Sequence, residues 1–200
     1  MGREPVDIAG ELGLNYTGID LSERQLAANR VQATNIGTEP VPTWICGDSE
    51  KVSEMVDEKF DLVFTCPPYG DLERYSDDPR DLSTLSIAEF RHKYHTIIES
   101  CCDMLKDEGF ACFVVGDYRD KFGVYANLPG QTVAAFERAG LGLYNWAILV
   151  NVTGSLPLRV GIQFSSSRKL GKCHQDVLIF AKGNPRDFVK KWKLDFTEGN

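Results

Sequence analysis

Cys66-Pro67-Pro68-Tyr69 closes the apolar run Phe60-Asp61-Leu62-Val63-Phe64-Thr65, which has the length and composition of a buried strand. A proline has no N–H and fixes its own φ. Two in succession make a stiff corner whose carbonyls point outward and keep no ladder partner. An aromatic ring follows at once. A rigid carbonyl beside a stacking ring, at the carboxyl end of a strand, suits gripping a flat heterocycle that bears an exocyclic amine. Such an amine is a poor nucleophile because its lone pair is delocalised into the ring. Accepting hydrogen bonds from both amine protons pulls the nitrogen toward tetrahedral geometry and frees that pair.

Two carboxylates stand where strands should end. Asp20 lies in Gly18-Ile19-Asp20-Leu21-Ser22 and Asp48 in Ile45-Cys46-Gly47-Asp48-Ser49. In a doubly wound sheet, ligands sit beyond the carboxyl ends of the strands. Asp20 is therefore placed to accept bonds from ribose hydroxyls, or else simply to cap the next helix. A plain N-cap role is open to Asp48 as well. A third group is basic. The chain carries a net charge of −7, yet no Asp or Glu occurs between Arg138 and Gln175. Arg159, Arg168, Lys169 and Lys172 lie there, among Phe164 and Ser165-Ser166-Ser167. That mixture suits contact with a phosphate backbone and equally fits a solvated loop. His174 braces the last strand or accepts a proton, and His92 and His95 fall within a long helix.

The elements that must hold these groups alternate between strand and helix, which argues for an α/β fold with a mostly parallel sheet. Residues 6–13 read as the tail of a helix and 15–20 as a strand. Ser22 is the N-cap of a helix ending near Gly37. Residues 43–46 form a second strand, running into a short amphipathic helix with Val52, Met55 and Val56. After the corner comes a polar loop to about Leu82, with Asp71, Arg74, Tyr75, Asp77, Asp78 and Arg80, read as a mobile lid. A long helix follows over residues 86–106, with Phe90, Tyr94, Ile98 and Cys101 on its apolar face. Residues 110–115 are an apolar strand, 131–139 a helix and 143–152 a strand. Residues 153–174 read as a polar, basic excursion, and 175–182 as a final strand. No helix is expected between the last two strands, so they should pair antiparallel.

Two hundred residues suffice for one domain with a real core. No stretch is apolar enough to cross a membrane, and no signal-peptide pattern opens the chain. Six cysteines include no C-x-x-C pair, which argues against a zinc site. Apart from Cys66 they read as small core hydrophobes in a reducing cytosol.

Together, Gly18-Ile19-Asp20-Leu21-Ser22 with Asn29-Arg30, and Thr65-Cys66-Pro67-Pro68-Tyr69-Gly70, resemble the amino-directed nucleic-acid methyltransferases, especially the orphan DNA methylases of phages and prophages. The motif of that family runs Asp, Asn or Ser, then Pro-Pro, then Tyr, Phe or Trp. The resemblance implies an α/β Rossmann-like class I methyltransferase sheet with one inserted antiparallel strand near the C-terminal end. It implies S-adenosylmethionine as cofactor, held by Asp20 and Leu21 at the ribose and by Asp48 and Ser49 at the adenine. It implies a catalytic set of Cys66, Pro67, Pro68 and Tyr69, acting on adenine N6 or cytosine N4 of DNA. The Pro67 carbonyl and the Cys66 side chain would accept the amine protons, and Tyr69 would stack on a base taken out of its duplex. Cys66 departs from the motif, because a thiol is a weak acceptor. DNA is the implied partner, bound through Arg159, Arg168, Lys169 and Lys172. Neither a metal nor a membrane is implied, and the implied location is the cytoplasm of a bacterial or phage-infected cell. An RNA or small-substrate methyltransferase, and a silent nucleic-acid-binding remnant, are the alternatives.

A cofactor domain of this kind should open with a strand and a glycine-rich turn. Neither is visible before Val6. Residues 1–183 thus read as a methyltransferase domain lacking its first strand, part of a longer protein or a remnant, and 184–200 as a polar, frayed tail. The expected consequence is a pair of unpaired apolar edges beside the strands at Asn15 and Phe60.

Overall fold

The computed structural model describes residues 5–70, 72–152, 154 and 156–190. The chain begins with helix α1 (Pro5–Glu11), strand β1 (Thr17–Asp20) and helix α2 (Glu23–Ile36). Ser22 caps α2, accepting a bond from the Gln25 amide at 3.2 Å. Gly37 ends it at φ 71°, in the left-handed region, where a glycine meets no steric cost. Strand β2 (Thr43–Cys46), a 3-10 turn at Ser49–Lys51 and helix α3 (Val52–Met55) lead to strand β3 (Phe60–Thr65). Helix α4 (Ile87–Met104) follows, opened by a reciprocal capping box between Ser86 and Glu89. The chain continues through β4 (Leu105–Val115), α5 (Leu128–Arg138), β5 (Gly142–Val150), α6 (Leu156–Ser167), β6 (His174–Ala181) and α7 (Pro185–Val189).

The sheet is in two parts. β1 and β2 pair in parallel as one, and the other has the order β3-β4-β6-β5. β3 and β4 are parallel, and β6 is antiparallel to both of its neighbours. The last two strands thus pair as expected, although a helix does lie between them. The outer edges of β1 and β3 carry no strand partner among the described residues.

The main core lies between the four-stranded sheet and helices α4 and α5. Phe90, Tyr94, Ile98 and Cys102 recur every four residues along one stripe of α4 and are buried there. Phe136 stacks on Phe180 at 3.9 Å between ring centroids and receives the edge of Phe113 at 4.9 Å. The phenol sunk deepest in this core, Tyr94, meets the Thr132 hydroxyl at 2.9 Å, so its burial leaves no polar group unsatisfied. A smaller cluster of Val52, Val56 and Met104 gathers Ile19 of β1, Ile45 of β2 and Phe60 of β3. It is the apolar joint between the two sheets.

Five expectations need correction. β3 is not a fully buried strand: Val63 faces the core, but Leu62 and Phe64 alternate to the opposite face of the sheet and are exposed. Cys46 is likewise exposed rather than a core residue. Within the basic excursion lies a helix, α6. Its Pro157 sits in the first turn, where a missing N–H costs nothing, and its Leu158 and Ile162 stay in solvent, so no buried stripe marked it in the sequence. The loop after the corner is not a loose lid. Arg80 grips both Asp78 oxygens at 3.0 and 2.7 Å. Asp81 accepts bonds from the Ser76 hydroxyl at 2.7 Å and from the Ser83 amide at 2.8 Å. Asp71, assigned to that loop, lies outside the described residues. Finally, residues 184–190 are not frayed: Asn184 caps α7, and Phe188 is buried against Phe110.

Candidate active site

The corner stands at the carboxyl end of β3 and borders a cleft of ≈ 250 Å³ lined by Cys66, Pro67, Tyr69, Leu72, Glu73, Tyr75 and Gln175. Drug-sized sites measure about 300–1,000 Å³, so the scale is that of a single flat ring system. Cys66 is exposed at the rim and Pro67 is buried at its base. Tyr69 is held from three sides. Its hydroxyl accepts a bond from the Gln175 amide at 2.6 Å and meets the Cys66 sulfur at 3.2 Å. Its ring lies over Gly116, where an added Cβ would stand 2.8 Å from a ring carbon; a side chain at that position would displace the ring. Burial, with the contact to Cys66 added, pushes the Tyr69 phenol well above its ordinary value. Tyr69 therefore stays neutral. Across the cleft, Tyr75 donates to Glu73 at 2.7 Å. That bond, with some burial, pushes the Tyr75 phenol up to about 12.

The carboxylates assigned to a cofactor stand together but apart from the corner. Asp20 and Cys46 are register partners at the ends of β1 and β2, and the Gly47 amide donates to the Asp20 carbonyl at 3.0 Å. Asp20 Oδ1 accepts from the Ser22 amide at 2.7 Å. Its other oxygen takes no partner among the described residues, which suits a diol. Asp48 is more committed. One oxygen accepts from the Glu50 amide at 3.1 Å and the other from Lys93 at 2.6 Å, with both side chains only 12% exposed. Both the capping reading of Asp48 and an ion pair to α4 are thus realised. Leu21 turns its carbonyl to the Cys46 thiol, and Ser49 opens the 3-10 turn. Asp20, Leu21, Asp48 and Ser49 do not line the corner cleft. The loop over residues 72–85 reaches toward both places: Tyr75 lines the cleft with Cys66, and Arg80 lies within electrostatic reach of the Asp48 carboxylate.

A second, wider cleft of ≈ 530 Å³ contains Arg168 and Lys172 together with Arg119, Tyr125 and His174. Lys169 lies over the turn at Gly123, while Arg159 is exposed on α6 and outside this cleft. Gln175, Tyr75 and Arg119 were not read from the sequence as site residues. Gln175 carries no local signal, being one polar residue at the start of a strand. Arg119 has one: Gly116-Asp117-Tyr118-Arg119 follows directly on an apolar strand, where ligands gather.

The family model described as a methyltransferase domain matches residues 2–67. No curated protein matches the sequence. Among solved structures, TrmN from Thermus thermophilus shares 15% identity at a TM-score of 0.56, over 89% of this chain and 40% of its own. The N-methyltransferase NodS from Bradyrhizobium japonicum, in complex with S-adenosyl-L-homocysteine, shares 15% at 0.53, over 85% and 67%. A candidate DNA modification methylase, also from Thermus thermophilus, shares 16% at 0.50, over 69% and 51%. The chain thus spans 40% to 67% of the length of these proteins. The fold is the Rossmann-like α/β fold of class I methyltransferases, with its antiparallel strand near the C-terminal end.

Proposed function

We propose that this chain is part of an S-adenosylmethionine-dependent methyltransferase acting on an exocyclic amine of a DNA base, adenine N6 or cytosine N4. The observation that carries the reading is the Pro67–Tyr69 corner at the end of β3, open to a cleft of one-ring-system scale. The methyltransferase family match over residues 2–67 and the likeness to a candidate DNA modification methylase support it. S-adenosylmethionine, when bound, supplies an electrophilic methyl group on a positively charged sulfur. Asp20 would hold its ribose through the open carboxylate oxygen. Asp48 would serve the adenine only if one of its present bonds yields.

The corner does the work on the base. The Pro67 carbonyl accepts one amine proton, which shifts the nitrogen lone pair out of the ring. Cys66 borders the same amine, although its sulfur already meets Tyr69. Tyr69 offers a neutral ring that Gln175 and Gly116 hold in place, so the base is oriented without ordering a mobile side chain. Glu73 is the carboxylate in the cleft lining and accepts the proton that the amine releases. Rate enhancement here is positioning and electrostatics rather than covalent chemistry. The test is nucleoside mass spectrometry after incubating the protein with cofactor and unmethylated DNA or, separately, RNA. N6-methyladenine or N4-methylcytosine in DNA is the expected product. Methylation confined to RNA would move the substrate to the alternative class, and no methylation of either would remove the catalytic reading.

A further inference from the structure

The second cleft has walls built from two unrelated segments, and both are cationic. One wall is the loop over residues 119–125, closed by a bridge between Arg119 and Tyr125. Asp120 stiffens it, its side chain accepting from the Phe122 and Val124 amides at 2.9 Å each. The Arg119 guanidinium lies 3.8 Å over the Tyr125 ring and spends one N–H on the Gly123 carbonyl at 2.8 Å. The other wall follows α6. Arg168, at φ 58°, turns back to the Phe164 carbonyl at 3.2 Å and lies 5.4 Å from the Phe164 ring. Lys172 reaches Asp176 at 3.4 Å, and that carboxylate also accepts the Trp146 indole N–H at 2.9 Å. The walls meet where Lys169 crosses Gly123, its Nζ 3.2 Å from where a Cβ would be.

Neither Arg119 nor Arg168 has a carboxylate partner among the described residues. Asp117, the acid in the lining, is turned to other use, accepting from the Tyr118 amide at 3.0 Å and from the Leu128 amide at 3.1 Å. Two unpaired guanidiniums stacked on aromatic rings keep most of their N–H donors, five on each, for an external acceptor. Their planar forks match phosphate oxygens in pairs. Cations interleaved with ring faces are also the make-up of a nucleic-acid groove. The position matters equally. His174 lines this cleft and its neighbour Gln175 lines the corner cleft. Gly116 supports Tyr69, and Asp117, the next residue, belongs to the second cleft. The ends of β4 and β6 are therefore the common wall of both.

We propose that this second cleft binds the phosphodiester backbone of a polynucleotide strand, through Arg119 and Arg168 with Lys172 in support, beside the cleft that takes the base. The inference rests on the base-binding reading for its orientation but is tested without it. The probe is a fluorescein-labelled single-stranded oligodeoxynucleotide, bound in parallel with an abasic version of the same length. Affinity is measured by anisotropy across a salt series. Each phosphate contact in single strands adds about 0.7 to the slope of log affinity against log salt. Arg119→Gln with Arg168→Gln should lower the slope by about 1.4 and weaken binding at least tenfold, for both probes. Lys59→Gln, an exposed control, should leave the slope as it is, and Lys172→Met should weaken binding on a second, independent variant. An unchanged slope in the double variant with an unaltered melting temperature would overturn the proposal. So would an absence of binding to either probe, or a polyglutamate peptide that binds as tightly. If the abasic probe binds as well as the intact one and no base is methylated, the base reading fails while the phosphate site stands.

Discussion

Tyr69 shows how much of the site rests on a single ring. Its hydroxyl is tied to Gln175 and Cys66, and its face rests on a glycine. Tyr69→Phe removes two bonds and leaves the ring, so at about 0.5–1.5 kcal/mol per bond turnover should fall by about fivefold to about 150-fold. Tyr69→Ala removes the ring itself and should lower turnover much further. In both variants calorimetry should find cofactor affinity nearly unchanged; an equal loss of both would count against stacking. Gly116→Ala should act like a milder Tyr69→Ala, because the new methyl occupies the ring's place. Cysteine labelling gives a separate check on the site. Burial pushes the Cys101 and Cys102 thiols up to about 12, while Cys66 and Cys46 are exposed. Iodoacetamide at neutral pH, followed by peptide mass spectrometry, should mark Cys66 and Cys46 well before the pair in α4.

Among the elements, the loop over residues 72–85 has a pH dependence that follows from its carboxylates. Arg80 holds the Asp78 carboxyl down to about 2. Burial pushes Asp81 up, but the bonds from Ser76 and Ser83 outweigh it and keep that carboxyl low. A carboxyl whose folded value is depressed contributes stability above its unfolded value and loses it as pH falls through the folded one. Loop order should thus be constant above about pH 4 and decline toward about pH 2, as amide exchange or proteolysis of the segment would report; loosening that begins near neutral pH would assign the order elsewhere. Helix α4 carries a second prediction. Lys93→Met leaves Asp48 nearly buried without its cation, at a cost of about 3 kcal/mol, and thermal melting of the single and of the Asp48→Asn double variant would measure it. These two elements also mark the limit of what the sequence reveals. α4 was legible because its apolar residues recur at four-residue spacing. Corner and strand-end carboxylates were legible because type and position coincide. The folding of the loop onto its own serines, the pairing of Asp48 with Lys93 45 positions away and the alignment of Gln175 with Tyr69 were not. Each is a long-range or side-chain match with no local pattern. α6 escaped for the opposite reason, since it buries nothing that would show a period.

For the whole molecule, the division of the sheet is the governing feature. Backbone amides of β3 that point away from β4 have no strand partner among the described residues, and hydrogen exchange there should be orders of magnitude faster than in the centre of β4 or β6, which are paired on both sides. Leu62 and Phe64 beside that edge make it a site for unwanted pairing. Replacing Phe64 with Lys should reduce association at high concentration, as light scattering would detect, with little loss of melting temperature. The division also separates the two ends of the proposed transfer. Asp20 and Asp48 ride on one sheet, and Pro67 and Tyr69 on the other. Among the described residues they are tied by the crossover over residues 47–59, a small apolar joint, the pairing of Lys93 with Asp48 and Glu50, and the Ser100 hydroxyl bonded to the Glu50 carbonyl. The reach from donor to acceptor is then a mechanical quantity, set by the stiffness of a joint rather than by any group at either end. A cross-link or a bound segment that braced the two halves would quicken turnover without touching base or cofactor.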